Sequence, residues 1–141
     1  MASGSVAFYQ DANFRGQRTD IVLSDYVAGQ RHVMPAQQYD NAACVVWNLP
    51  LGTVMTVQAA IKYNQGADLK DCGYTVDLVG YGFTRTCDLS WEVQMDNQAS
   101  MFFWRNVDHT MGAIELFTNP DFKGRRVTLF LSEWAPGRVH R

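Results

Sequence analysis

Two short stretches carry the side chains best suited to chemistry. Asp96-Asn97-Gln98-Ala99-Ser100 and Asp40-Asn41-Ala42-Ala43-Cys44 share one layout, 56 residues apart, and each leads into an apolar run holding a tryptophan, Trp104 or Trp47. Carboxylate, amide and hydroxyl oxygens grouped this closely suit a hard cation such as calcium. The later stretch offers Asp96, Asn97 and Ser100. The earlier one offers Asp40 and Asn41 only, because Cys44 stands at the position of Ser100. A thiol is a soft ligand that calcium does not favour. The competing reading is that Asp-Asn simply turns the backbone into the strand that follows.

Acid–base chemistry has less to work with. His32, His109 and His140 are scattered, and Asp108-His109-Thr110 is the single close acid–base grouping. No nucleophile elbow, zinc-protease motif or phosphate loop occurs. An Asp beside a His in a polar stretch reads as a solvated loop, so no catalytic residue is assigned. Calcium, weakly held, is the one cofactor the sequence suggests.

The elements that must position these residues are announced by a repeat. Tyr9-Gln-Asp-Ala-Asn-Phe14-Arg-Gly16 returns 108 residues later as Phe117-Thr-Asn-Pro-Asp-Phe122-Lys-Gly124. The likeness runs on without a gap through Arg18/Arg126, Leu23/Leu131, Ser24/Ser132 and Gly29/Gly137. A repeat of this quality means one structural unit used twice. Val6 to Gln10, Thr19 to Leu23, Ile114 to Thr118 and Val127 to Leu131 read as strands. Between the strands of each pair lies a turn ending in glycine, which predicts a backbone at positive φ for Gly16 and Gly124. The two aromatics of each turn can stack across it. Ser24 and Ser132 can hold the turn by bonding its backbone.

This pattern, an aromatic, four residues, an aromatic, one residue, a Gly and a later Ser, resembles the Greek-key signature of the βγ-crystallins. The resemblance covers roughly 8–50 and 96–137. It implies an all-β fold: a sandwich of two four-stranded antiparallel sheets, built from two Greek-key motifs about a pseudo-twofold axis. The family's usual Glu after the first aromatics is replaced by Gln10 and Thr118. The resemblance also implies a role for the Asp-Asn stretches. The family's calcium motif is two Asn/Asp, two variable residues, then Ser/Thr and Ser, with ligands drawn from both motifs. Asp96, Asn97 and Ser100 keep most of that pattern, whereas Asp40 and Asn41 keep half of it.

Residues 25–41 read as a long arch, Asn41 to Leu49 as a buried strand and Thr53 to Ala60 as another, the order a Greek key needs. Residues 61–90 depart from the repeat and are expected to be a decorating insertion, with Tyr74 to Val79 and Gly82 to Thr86 forming a hairpin about Gly80-Tyr81-Gly82. Tyr63-Asn-Gln-Gly66 is at best a damaged signature. In the later half the return strand comes before the intact hairpin. Either the second motif is permuted in sequence and complete in space, or the terminal hairpin starts a further motif, paired with another chain or cut short. The permuted reading is adopted, since domain termini tend to lie close together. It makes 1–141 a single domain with motif halves at about 5–60 and 91–137 and the insertion at about 61–90.

Composition agrees with a globular chain: 141 residues, 47% hydrophobic and 18% charged, net charge −2. Nothing points to a nucleic-acid surface, and Arg18, Arg125 and Arg126 are expected to face solvent. No apolar stretch is long enough for a membrane helix, and no signal peptide is read, so the compartment is either cytoplasmic or that of a mature secreted form. Cys44, in an apolar run, is expected to be a buried thiol. Cys72 and Cys87 are either a disulfide or two buried thiols.

Three functions fit these readings. One is a βγ-crystallin-like structural or stress-type protein with weak or vestigial calcium binding. Another is an interaction module, such as an inhibitor or toxin, using loop 61–90 on a protein partner; a homodimer is also open. The third is a small enzyme whose pocket the insertion creates, lined by Tyr63, Tyr74, Tyr81 and Trp91.

Overall fold

A computed structural model describes residues 1–60, 72–89 and 95–140, with the side chains of residues 60, 72 and 73 left aside. Its regular elements are strands joined by short 3-10 turns: β1 (Ser5–Asp11), β2 (Arg15–Val22), β3 (His32–Val33), β4 (Cys44–Asn48), β5 (Thr53–Ala60), β6 (Cys72–Val79), β7 (Thr84–Asp88), β8 (Met101–Asn106), β9 (Ala113–Asn119) and β10 (Lys123–Phe130). Eight of them make two four-stranded antiparallel sheets, β2-β1-β4-β7 and β3-β8-β5-β6. Each sheet takes the hairpin and return strand of one motif and the third strand of the other. The chain is therefore an all-β antiparallel Greek-key sandwich.

Packing follows from strand alternation. Val6, Phe8 and Ile21 of the first sheet bury their side chains against Met55, Val57 and Phe102 of the second. Trp47 fills the centre, and its indole N–H donates to the Val79 carbonyl at 2.9 Å, satisfying the one polar atom of a wholly buried ring.

Both signature corners form as the repeat requires. Asn13, Phe14 and Gly16 have φ of 58°, 57° and 75°; Asp121, Phe122 and Gly124 have 61°, 58° and 82°. The bend brings Tyr9 and Phe14 edge to face at 5.8 Å, and Phe117 and Phe122 at 5.7 Å. In the terminal hairpin the corner is tied by Thr118, whose hydroxyl accepts the Arg125 N–H at 3.0 Å. Ser132 does a different job from the one expected: its hydroxyl accepts the Asp108 N–H at 3.1 Å, joining the hairpin to the preceding loop.

The sequence reading needs correction in the second half. The stretch 61–90 is not a decoration, because β6 and β7 are members of the two sheets; residues 61–71, with Tyr63-Asn-Gln-Gly66, lie outside the described residues. Nor do β6 and β7 form a hairpin. β6 pairs with β5, while β7 crosses to the other sheet and pairs with β4. The crossing point is Gly80, whose N–H donates to Thr53 O while Gly82 donates to Leu49 O. A Cβ on Gly80 would stand 2.1 Å from Pro50 O and 2.8 Å from Thr53 O, so only glycine passes.

The permuted motif is overturned as well. β5, β6, β7 and β8 supply the second Greek key in chain order, and the halves expected at 5–60 and 91–137 do not describe it. β9 and β10 form a separate two-stranded sheet that repeats the corner of the first hairpin. It docks on the sandwich through a buried polar network. The Thr128 N–H and the Thr56 hydroxyl both donate to the Asp77 carboxylate at 2.7 Å. Arg105 donates to Thr56 at 2.9 Å and forms an ion pair with Glu133 at 2.6 Å. Arg125, expected in solvent, instead stacks on Tyr74 with its guanidinium 3.6 Å from the ring centre.

Candidate functional site

The two Asp-Asn stretches meet at one end of the sandwich. The Asp40 N–H donates to Ala99 O at 2.9 Å, and the Asn97 N–H donates to Ala42 O at 3.1 Å. Asp40 and Asn97 sit in the left-handed backbone region, at φ of 52° and 53°, which Asn and Asp tolerate better than other side chains. These turns deliver β4 and β8 into opposite sheets, so the structural role expected of Asp-Asn is fulfilled in both.

The Ser100 hydroxyl donates to Asp40 Oδ1 at 2.6 Å and lies 3.0 Å from Gln98 O. A carboxylate from one motif and a carbonyl from the other thus both meet the Ser100 hydroxyl. Ser100 is almost wholly buried while Asp40 is exposed, leaving an approach from solvent. The remaining predicted ligands are not drawn in. Asp96 and the Asn97 side chain are exposed, and the Asn41 amide donates to Gln37 O at 3.3 Å. At the equivalent of Ser100, Cys44 is a buried free thiol. Among the described residues no group of three or more His, Cys, Asp or Glu side chains could hold a metal.

The Asp108-His109 pair is not a catalytic dyad in its arrangement. Asp108 caps the short turn His109–Met111, its Oδ1 accepting the Thr110 N–H at 3.0 Å. The Thr110 hydroxyl, the Thr110 N–H and the neighbouring His109 hold that carboxyl below its usual range. His32 bonds Val27 O and packs on Tyr26 and Phe102. His140 bonds Ala135 O. The pocket expected from Tyr63, Tyr74, Tyr81 and Trp91 is not assembled from the two described members: Tyr81 lines a cavity beside the terminal hairpin, while Tyr74 lies under Arg125 in another depression. Tyr63 and Trp91 lie outside the described residues, as does the side chain of Cys72 and so its pairing with Cys87.

Sequence reading missed Asp77. Burial pushes its carboxyl above the usual range, partly offset by the bonds from Thr128 and Thr56 and the charge of Arg105. In Tyr74 to Val79, alternation puts Asp77 on the outward face, where a carboxylate is unremarkable until a hairpin covers it.

No family model and no curated protein matches the chain. Among solved structures, the chain is similar to one described as "Evolution of the eye lens beta-gamma-crystallin domain fold", at 16% identity and a TM-score of 0.44, over 77% of this chain and 91% of the other.

Proposed function

We propose that this chain is a βγ-crystallin-like structural protein with one weak calcium site at the Asp40–Ser100 junction. The observation that supports it is the convergence of Asp40 Oδ1 and Gln98 O on Ser100 Oγ, at 2.6 and 3.0 Å from it. Hard cations are held by such mixed oxygen sets. One carboxylate is a small charge complement, and the mirror position has a thiol in place of a hydroxyl. The affinity expected is therefore about 10⁻⁴–10⁻³ M, the range of weak extracellular modules. At that affinity a few millimolar calcium stabilises the fold by about 1–2 kcal/mol. Calorimetric titration tests it: one site in the wild type, lost in Asp40→Ala and weakened in Ser100→Ala. Micromolar binding at two sites would mean that the Cys44 side contributes after all. No heat and no change in melting temperature would leave a sandwich without calcium.

A second reading, an interaction module, is favoured by the terminal hairpin. In the first motif Val6 and Phe8 are 0% exposed, and β1 pairs on both edges. Their repeat equivalents Ile114 and Leu116 are 51% and 54% exposed, and among the described residues β9 pairs with β10 alone. The partner this reading commits to is a second copy, adding β9 to β9 antiparallel about Leu116. That register sets Glu115 opposite Phe117, so no like charges face each other. Sedimentation should show a dimer that Leu116→Lys converts to monomer; a wild type monomeric at high micromolar concentration rejects it.

A further inference from the structure

Beside the terminal hairpin lies a cavity of about 480 Å³ that the calcium reading does not use. Its size falls in the range of small-molecule sites. The floor is apolar: Val54, Val79 and Phe130 are buried there as a cluster separate from the main core, with Val107 packed against them. Ladder register explains the wall. Glu115 faces Thr128 and Ala113 faces Phe130 across β9 and β10, so these four side chains share the hairpin face that lines the cavity.

Two polar features on that face point to a ligand. Thr128 is 4% exposed, yet its hydroxyl has no hydrogen-bond partner. Buried hydroxyls are rarely left so, and each one without a partner calls for an explanation. Directly opposite, Glu115 meets only a long 3.4 Å contact from the Tyr81 hydroxyl. Among the described residues Glu115 is the one carboxylate in the lining, and neither Lys nor Arg belongs to it. Arg85 lies 4.5 Å over the Tyr81 ring, which directs an incoming cation to the carboxylate rather than to that ring face.

We propose that this cavity binds a small arylalkyl amine. The ring rests on Val54, Val79 and Phe130, and the ammonium donates to the Glu115 carboxylate and the Thr128 hydroxyl oxygen. An ammonium has the three donors this pair of acceptors can use, whereas a carboxylate ligand would face Glu115 with like charge.

The test uses three probes that share one ring and differ in head group: phenethylamine, phenethyl alcohol and phenylacetate. Each is titrated into the 141-residue chain while backbone amide shifts are followed by NMR. Phenethylamine is expected to shift the amides around Val54, Val79 and Phe130, and to bind about three- to fivefold tighter than the alcohol, the gain of a partly exposed ion pair. Phenylacetate is expected to bind weakest. Glu115→Gln should erase the preference for the amine, and Thr128→Val should weaken the amine with little change in melting temperature. Equal binding of all three probes, a preference for phenylacetate, or no shifts at 10 mM phenethylamine (a concentration about tenfold above a weak millimolar Kd) would overturn the proposal. The probe series needs only the wild type, so it stands even if a variant fails to fold.

Discussion

Asp77 offers the sharpest check on how the terminal hairpin is held. Its carboxylate is 2% exposed and accepts two hydrogen bonds, one of them from the backbone of β10. Removing it in Asp77→Ala strands the buried Thr128 N–H, which costs about 1–3 kcal/mol. The Thr56 hydroxyl loses its acceptor too, although it keeps the bond from Arg105. Against these losses stands the cost of burying the charge, which raises the Asp77 pKa above its unfolded value. The sign follows directly. A carboxyl that binds its proton more tightly folded than unfolded contributes stability that is fully present below the unfolded pKa, near 3.8. That contribution is lost as pH rises through the folded pKa. Asp77→Asn keeps the shape and cannot titrate. The assay is equilibrium urea unfolding of both proteins from pH 4 to pH 8. The difference, wild type minus Asp77→Asn, should move in favour of the wild type as pH falls. Each unit between the two pKa values is worth about 1.4 kcal/mol. A difference flat across that range, or one that grows with pH, refutes the account of Asp77 as a carboxylate burdened by burial.

Other expectations follow from the same geometry. Gly16→Ala and Gly124→Ala should each cost about 1–3 kcal/mol in chemical denaturation, the price of forcing a side chain to positive φ; unchanged melting for both would reject the corner geometry. Gly80→Ala should cost about 3 kcal/mol or more, since its Cβ meets fixed carbonyls rather than a movable side chain; a near-wild-type variant would show that β6 and β7 cross elsewhere. Cys44, buried and free in β4, should resist alkylation in the folded protein and label on unfolding; rapid labelling under native conditions would contradict its burial.

The first motif was legible because its local signals agree. Alternating Val6 and Phe8, a turn that only glycine closes, and an aromatic pair at fixed spacing all specify the same hairpin, and tertiary contacts merely complete it. The second motif was misread because Tyr63-Asn-Gln-Gly66 keeps little of the signature's sequence and its two middle strands part company at Gly80. Gly80-Tyr81-Gly82 looks like a hairpin turn when only the flanking residues are seen. What decides against a hairpin is the crowding of Leu49, Pro50 and Thr53 carbonyls around Gly80, contacts across thirty residues of chain that periodicity cannot register. The calcium candidates divide along the same line. Asp40 and Ser100 could be paired from sequence only by placing the two motifs face to face; Asp96 and Asn97 looked equivalent to Asp40 and Asn41, yet it is Asp40 that takes the Ser100 hydroxyl.

The repeat also carries a consequence for the hairpin itself. Identical local signals produced identical corners, so local sequence is sufficient for the bend. It was not sufficient for burial. β1 is enclosed because β4 pairs with its second edge and the other sheet covers its apolar face; β9 has neither, and Ile114 and Leu116 stay half in water. Apart from Phe130, which is buried against Val54 and Val79, what fastens β9 and β10 to the sandwich is polar: Asp77, Thr56, Arg105 and Glu133, with Ser132 on the Asp108 backbone. Apolar burial contributes about 25 cal/mol for each Å² removed from water, and here much of that face remains wet. A hairpin held mainly by directional bonds should therefore open before the core does. Native-state hydrogen exchange measures this directly. Amides of β9 and β10 should exchange well ahead of those in β1 and β4, and Asp77→Ala should speed the hairpin while leaving β1 and β4 slow. If hairpin and core amides exchanged together in both proteins, the third hairpin would be a cooperative part of the sandwich, and the polar network would not be its principal anchor.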